Sequence, residues 1–117
     1  MTDTEKRFWG LIKADNTSTG DVERYQLFYV IARTDMFWNA LPRIYDVKNH
    51  VLVDGWDDIF DSSFGKMLRR AAHMYNSFHE DVPTVELFWS LDAWNSKTMI
   101  NAQRIFVRAF DFQTEME

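Results

Sequence analysis

Asp21-Val22-Glu23-Arg24-Tyr25-Gln26-Leu27-Phe28-Tyr29-Val30-Ile31-Ala32-Arg33 is the stretch on which the fold turns. Its second half, Leu27 to Ala32, is apolar on every side, which suits either a strand buried on both faces or the inner part of a buried helix. Length separates the two. With Asp21 to Arg24 in front, the segment has the span of an ordinary helix and exceeds a strand of about five residues. We read a buried helix over 21–33, and a helix apolar all round needs other helices around it.

The neighbours are legible to different degrees. From Ser62 or Ser63, a turn of ~100° per residue puts Phe64, Met67, Leu68, Ala71, Ala72, Met74, Tyr75 and Phe78 on one side. Lys66, Arg69, Arg70, His73, Asn76 and Ser77 fall on the other, so 63–78 reads as a half-buried amphipathic helix. The last helix starts at Asp92 or Ser96 and runs to Phe110. Its polar stripe (Lys97, Asn101, Arg104, Arg108) is narrow enough to suggest a central position. A first helix follows a cap at Thr2, Asp3 or Thr4 and buries Phe8, Leu11 and Ile12. Ser18 or Thr19 is the expected cap after the loop at Asn16 to Gly20. Thr34 is the expected cap of a helix over Asp35 to Tyr45, which Pro42 should kink or shorten. Thr84 to Leu91 reads as a helical turn or an extended piece, and the acidic tail from Asp111 is expected to fray, with Phe112 able to dock.

Between Asp46 and Ser62 the periodicity fails. Val51-Leu52-Val53 before Asp54-Gly55 suits a short extended piece or a hairpin arm, but three residues are too little to make a sheet. Trp56, Ile59 and Phe60 anchor this connection, and long connections in compact domains are often functional. The expected architecture is all-α: one compact domain, residues 1–117, of about five helices with an irregular connection at 46–62.

Composition narrows the function classes. The chain has 117 residues, 16% of them aromatic, with no Cys and a net charge of −5. That is one domain. The missing thiols exclude disulfides, thiolate metal sites and a cysteine nucleophile, and the aromatic content argues against disorder. No apolar run approaches the roughly 18–20 residues that span a bilayer, and no signal-type stretch follows the N-terminus, so we expect a soluble, cytoplasmic protein without membrane contact. A pI near 5.1 argues against a wholly basic nucleic-acid footprint. The acid is unevenly spread. Asp54, Asp57, Asp58 and Asp61 lie together, Glu80, Asp81 and Glu86 form a second group, and Ser62 to His79 between them contains none.

Catalytic motifs are missing. There is no Gly-x-Ser-x-Gly elbow, phosphate-binding glycine loop or His-x-x-x-His pair. Asp54-Gly55-Trp56-Asp57-Asp58 lacks the alternating ligands of a calcium loop. We expect no catalytic residue, no metal and no cofactor. Two surfaces remain. Trp56, the tryptophan least expected to be fully buried, lies beside Asp57, Asp58 and Asp61 and is a candidate partner-binding anchor. Lys66, Arg69, Arg70 and His73 form a basic face that either meets phosphates or an acidic partner, or is neutralised by the flanking acids.

Leu27-Phe28-Tyr29, Ile44-Tyr45-Asp46 and Arg70-Ala71-Ala72-His73-Met74-Tyr75-Asn76 together resemble a family of small proteins from Firmicutes and their mobile elements, classed as a domain of unknown function. The resemblance spans Phe8 to Phe110 and departs from the family at Val47 to Phe60. It implies a bacterial or phage setting and carries over no active site. The leading expectation is a non-enzymatic protein-binding module or inhibitor from a phage or mobile element, anti-CRISPR-like, with another protein as partner. The alternative is a nucleic-acid-associated regulator using the basic face of 63–78. A small hydrolase or metal enzyme around His79 and Asp54 to Asp61 ranks third. A homodimer stays open, because the apolar girth of helices 21–33 and 96–110 suits burial within one chain or between two.

Overall fold

Helix α2 (Val22–Arg33) is the axis of the molecule, and every residue from Gln26 to Arg33 on it is buried. The computed structural model describes residues 1–77 and 83–116, the Ser62 side chain excepted. Around α2 pack α1 (Asp3–Asp15), α5 (Ser62–Asn76), α7 (Ala93–Phe106) and the short α3 (Asp35–Asn39). The remaining short pieces are α4 (Leu41–Ile44), the hairpin strands β1 (Tyr45–Asp46) and β2 (Val51–Leu52), and α6 (Thr84–Trp89). The protein is thus an all-α bundle with four long helices. The helical reading of 21–33 holds. The central helix, however, is α2 and not α7, whose Trp94 and Phe106 reach solvent.

Local chemistry explains the boundaries. Thr2 Oγ1 accepts the Glu5 amide at 3.2 Å and starts α1, as expected. Asp21, not Ser18 or Thr19, caps α2 by accepting the Arg24 amide at 3.1 Å. The helix expected over 35–45 is two helices broken at Ala40. Pro42 sits in the first turn of α4, where its missing N–H leaves no helical hydrogen bond unmade. At the end of α4 the chain turns into the hairpin, with Tyr45 opposite Leu52 and Asp46 opposite Val51. Asp46 Oδ1 closes its turn by accepting the amides of Lys48 (3.0 Å) and Asn49 (3.1 Å). The connection at 46–62 is therefore ordered, beginning with this hairpin and continuing through a 3-10 turn at Trp56–Asp58.

From Asp111 to Met116 the tail is docked, against the expectation that it would fray. Asp111 and Thr114 cap each other across a short turn, and Phe112 lies against Phe8, 5.4 Å between ring centres, and Phe110, 5.3 Å. Beyond it Glu115 is buried. Its carboxylate accepts from Arg33 at 3.0 Å and from the Tyr29 hydroxyl. Asn101 Nδ2 donates to Tyr29 Oη (3.0 Å) and to the Met116 carbonyl (2.9 Å). Asn101, placed on a polar stripe by its sequence position, is fully buried for this reason.

Gly65 shows how closely the connection is packed on α5. A Cβ there would stand 2.5 Å from the Phe60 carbonyl oxygen, a backbone atom with little room to yield. Helix propensity alone favours alanine by about 1 kcal/mol, whereas overpacking costs about 1–3 kcal/mol. Gly65→Ala should therefore lower the urea midpoint. A midpoint equal to or above that of the parent would mean that the 60–65 backbone yields freely.

Candidate functional site

Two elements meet on one face of α5. Lys66 and Arg69, three residues apart, are neighbours on that helix. Arg69 Nη2 donates to the Asp57 carbonyl at 3.2 Å and so holds the acidic segment. Lys66 Nζ lies 3.6 Å from Glu86 Oε1 and so holds α6. The acidic turn and the short helix thus both contact α5, and Asp54, Asp58, Asp61 and Glu86 are exposed.

On this face the tryptophan expectations reverse. Trp56 is only 8% exposed: the left-handed turn at Gly55 (φ 85°) and the bond from its amide to the Val53 carbonyl (3.0 Å) tuck the indole into the core. The Trp56 site is corrected accordingly, since an indole inside the core offers no anchor. Trp89, on the other hand, is 86% exposed. In α6 the core takes Leu87, fully buried, and part of Phe88, so Val85 and Trp89, one turn apart, share the outward side. A tryptophan exposed next to a valine is the apolar centre that the sequence reading sought two elements earlier.

The basic face is broken up. Arg70 stands ~40° from Met74 on the helical wheel, at the shoulder of the apolar side, and is 8% exposed; its place on an open cationic face is corrected. Lys66 is engaged by Glu86 and Arg69 by the Asp57 carbonyl, while His73 is exposed. His79 and the acids at 80 and 81 lie outside the described residues. Among the described residues, no group of three or more His, Asp or Glu side chains could hold a metal ion, and no helix is long and apolar enough to cross a membrane.

A polar cluster that the sequence reading missed joins the end of α1 to the hairpin. Asp15, its side chain 2% exposed, accepts from Thr17 Oγ1 (2.7 Å) and the Tyr45 hydroxyl (2.7 Å) and faces His50 Nδ1 (2.8 Å). Arg24 Nε donates to Tyr45 Oη at 3.2 Å, and Nη2 donates to the His50 carbonyl at 3.1 Å. That last bond helps hold His50 in a left-handed conformation (φ 60°) that a histidine otherwise enters at a cost. The contributing residues are scattered over four segments, so no local motif signals the cluster. Burial pushes the Asp15 carboxyl upward, but the hydrogen bonds from Thr17, His50 and Tyr45 outweigh it and hold the group below its usual range. Burial raises the Tyr45 phenol, and Tyr45 raises the Arg24 guanidinium. The cluster's evident work is to clamp three elements. A His–Asp pair orients an imidazole, yet among the described residues no acyl-transfer nucleophile is hydrogen-bonded to that imidazole.

Comparison with protein-family models, curated proteins and solved structures finds no match to this chain.

The Asp15 cluster sets a pH limit. Because the carboxyl titrates lower in the folded chain than in the unfolded one, the unfolded state takes up protons first as pH falls. The stabilisation is complete above the unfolded value of about 4 and is lost below it. Asp15→Asn should lower stability at neutral pH and flatten the acid limb of a stability–pH curve measured by urea unfolding. An unchanged acid limb would show that Asp15 contributes nothing to it.

Proposed function

We propose that this protein is a non-enzymatic binding module whose contact surface is the outward side of α6. The observation that carries the reading is the 86% exposure of Trp89 with Val85 one turn away. A tryptophan presents roughly 150–250 Å² of largely apolar surface, and leaving it in water brings the fold no gain. Tryptophan is also the residue type most enriched among binding hot spots. Glu86, exposed and adjacent to Val85 in α6, adds an acid to this patch, so the partner that fits is a protein with an apolar pocket and a basic group at its rim. An inhibitor or accessory protein of a phage or mobile element is the setting that suits such a module and agrees with the family resemblance. The nucleic-acid alternative has less support: Lys66 is engaged by Glu86, Arg69 by a carbonyl, and Arg70 is buried.

The test separates folding from binding. Trp89→Ala should change stability by no more than about 0.5 kcal/mol, as for an exposed position away from special features, while Trp56→Ala should lose about 3–5 kcal/mol by opening a cavity. A photo-crosslinking residue at 89 should capture one defined protein from an extract of the encoding cell, and the same group at Lys13 should not. Raising the salt should weaken capture, and with the isolated partner Trp89→Ala should cost at least about 2 kcal/mol of affinity. Equal capture from both positions, or sedimentation showing a dimer closed through Trp89, would overturn the proposal.

A further inference from the structure

Where α1, the start of α2, the end of α7 and the tail meet, five aromatic rings surround a half-open hollow of about 370 Å³. Phe8, Trp9, Tyr25, Phe110 and Phe112 form its walls. Their edge-to-face contacts fix their orientation: Phe8 lies 4.9 Å from Trp9, 5.7 Å from Tyr25 and 5.4 Å from Phe112, centre to centre. A mostly apolar hollow with a few polar groups is the usual form of a small-molecule site, and this one falls at the lower end of the common size range of ~300–1,000 Å³.

The polar group at its lip is Arg108, whose placement is unusual in two ways. The backbone there is left-handed (φ 61°), at the turn that follows α7, a position where glycine is the common choice. The arginine therefore strains a turn that another residue would make without strain. Its guanidinium also makes no hydrogen bond and no ion pair among the described residues. The acid on the rim, Asp111, is already engaged, since its Oδ1 accepts the Thr114 amide at 3.0 Å. An arginine side chain unpaired among the described residues at the mouth of an aromatic hollow is complementary to a ring bearing a carboxylate.

We propose that this hollow binds a small aromatic monocarboxylate, its ring among the five aromatic side chains and its carboxylate on Arg108. The site is separate from the α6 surface and does not depend on it. Two walls, Phe110 and Phe112, belong to the tail that Glu115 anchors to Arg33 and Tyr29, so an occupied hollow also holds the tail in place.

The experiment is a titration of the full chain, followed by the Trp9 indole and Arg108 amide signals in nitrogen–proton correlation spectra. The probes are 1-naphthylacetate, its neutral amide, and a tetrapeptide ending in phenylalanine. The acid should give saturable shifts at both signals and bind about tenfold tighter than the amide, as one charge-assisted hydrogen-bond pair allows. Arg108→Gly, which suits the left-handed turn and so preserves the fold, should abolish the preference for the acid while leaving amide binding unchanged. Four results would each overturn the proposal. They are shifts that do not saturate or lie elsewhere, equal affinity for acid and amide, an acid preference that survives Arg108→Gly, and tighter binding of the tetrapeptide than of the free acid.

Discussion

Complete burial of the second half of α2 is the constraint from which the rest of the structure follows. A helix without a solvent-facing side must find a protein partner for each polar side chain it carries, because an unpaired polar group in the interior costs about 1–3 kcal/mol and a charge more. Helix α2 carries Gln26, Tyr29 and Arg33 in this region. Gln26 Nε2 donates to the Ala71 carbonyl at 2.7 Å and ties α2 to α5. Arg33 donates to Thr98 Oγ1 at 2.8 Å, tying it to α7, and its guanidinium lies 3.9 Å from the centre of the Trp94 ring. Tyr29 and Arg33 together take Glu115, so the tail docks because α2 needs a carboxylate there. Satisfaction is not total: Gln26 Oε1 and Thr34 Oγ1 are buried without a hydrogen-bond partner among the described residues.

This constraint also explains how far the sequence could be read. The pattern along a segment states which way its side chains point relative to its own axis. For α5, where Met67, Leu68, Ala71 and Ala72 repeat at helical spacing, that is enough, and all four are buried. For 21–33 length decided between helix and strand, and the apolar girth implied neighbours on all sides. Pattern does not state what lies opposite. Asn101 and Glu115 look like surface residues until Tyr29 and Arg33 are placed beside them. Trp56 sits in an acidic, aperiodic stretch, and its burial depends on a glycine turn and a hairpin that no periodicity announces. The Asp15 cluster draws on α1, the loop after it, α2 and the hairpin, and is visible only in three dimensions.

The uneven charge seen along the chain has a structural counterpart. Acids flank the acid-free α5 on both sides in sequence, and both flanks return to it in space: the Asp57 carbonyl meets Arg69 and the Glu86 carboxylate meets Lys66. The Lys66–Glu86 pair is of the exposed kind that contributes about 0–1 kcal/mol, and the Arg69 contact is a single hydrogen bond to a backbone carbonyl, so their main effect here is placement. They hold the 3-10 turn and α6 against the same helix.

Two of the described positions, 89 and 108, are not accounted for by folding alone, and both are informative. A six-residue helix such as α6 cannot bury all its sides. With Leu87 and Phe88 turned to the core, a charged residue at 89 would serve the fold as well as tryptophan and would keep the surface free of an exposed apolar patch. At 108 the backbone is left-handed, and glycine would enter that conformation without strain. In both places the residue present is worse for the folded state alone than a simple alternative. One exposes an indole beside an acid, and the other places an arginine at the mouth of an aromatic hollow. Stability requires neither, so what requires them is to be sought in what the protein binds.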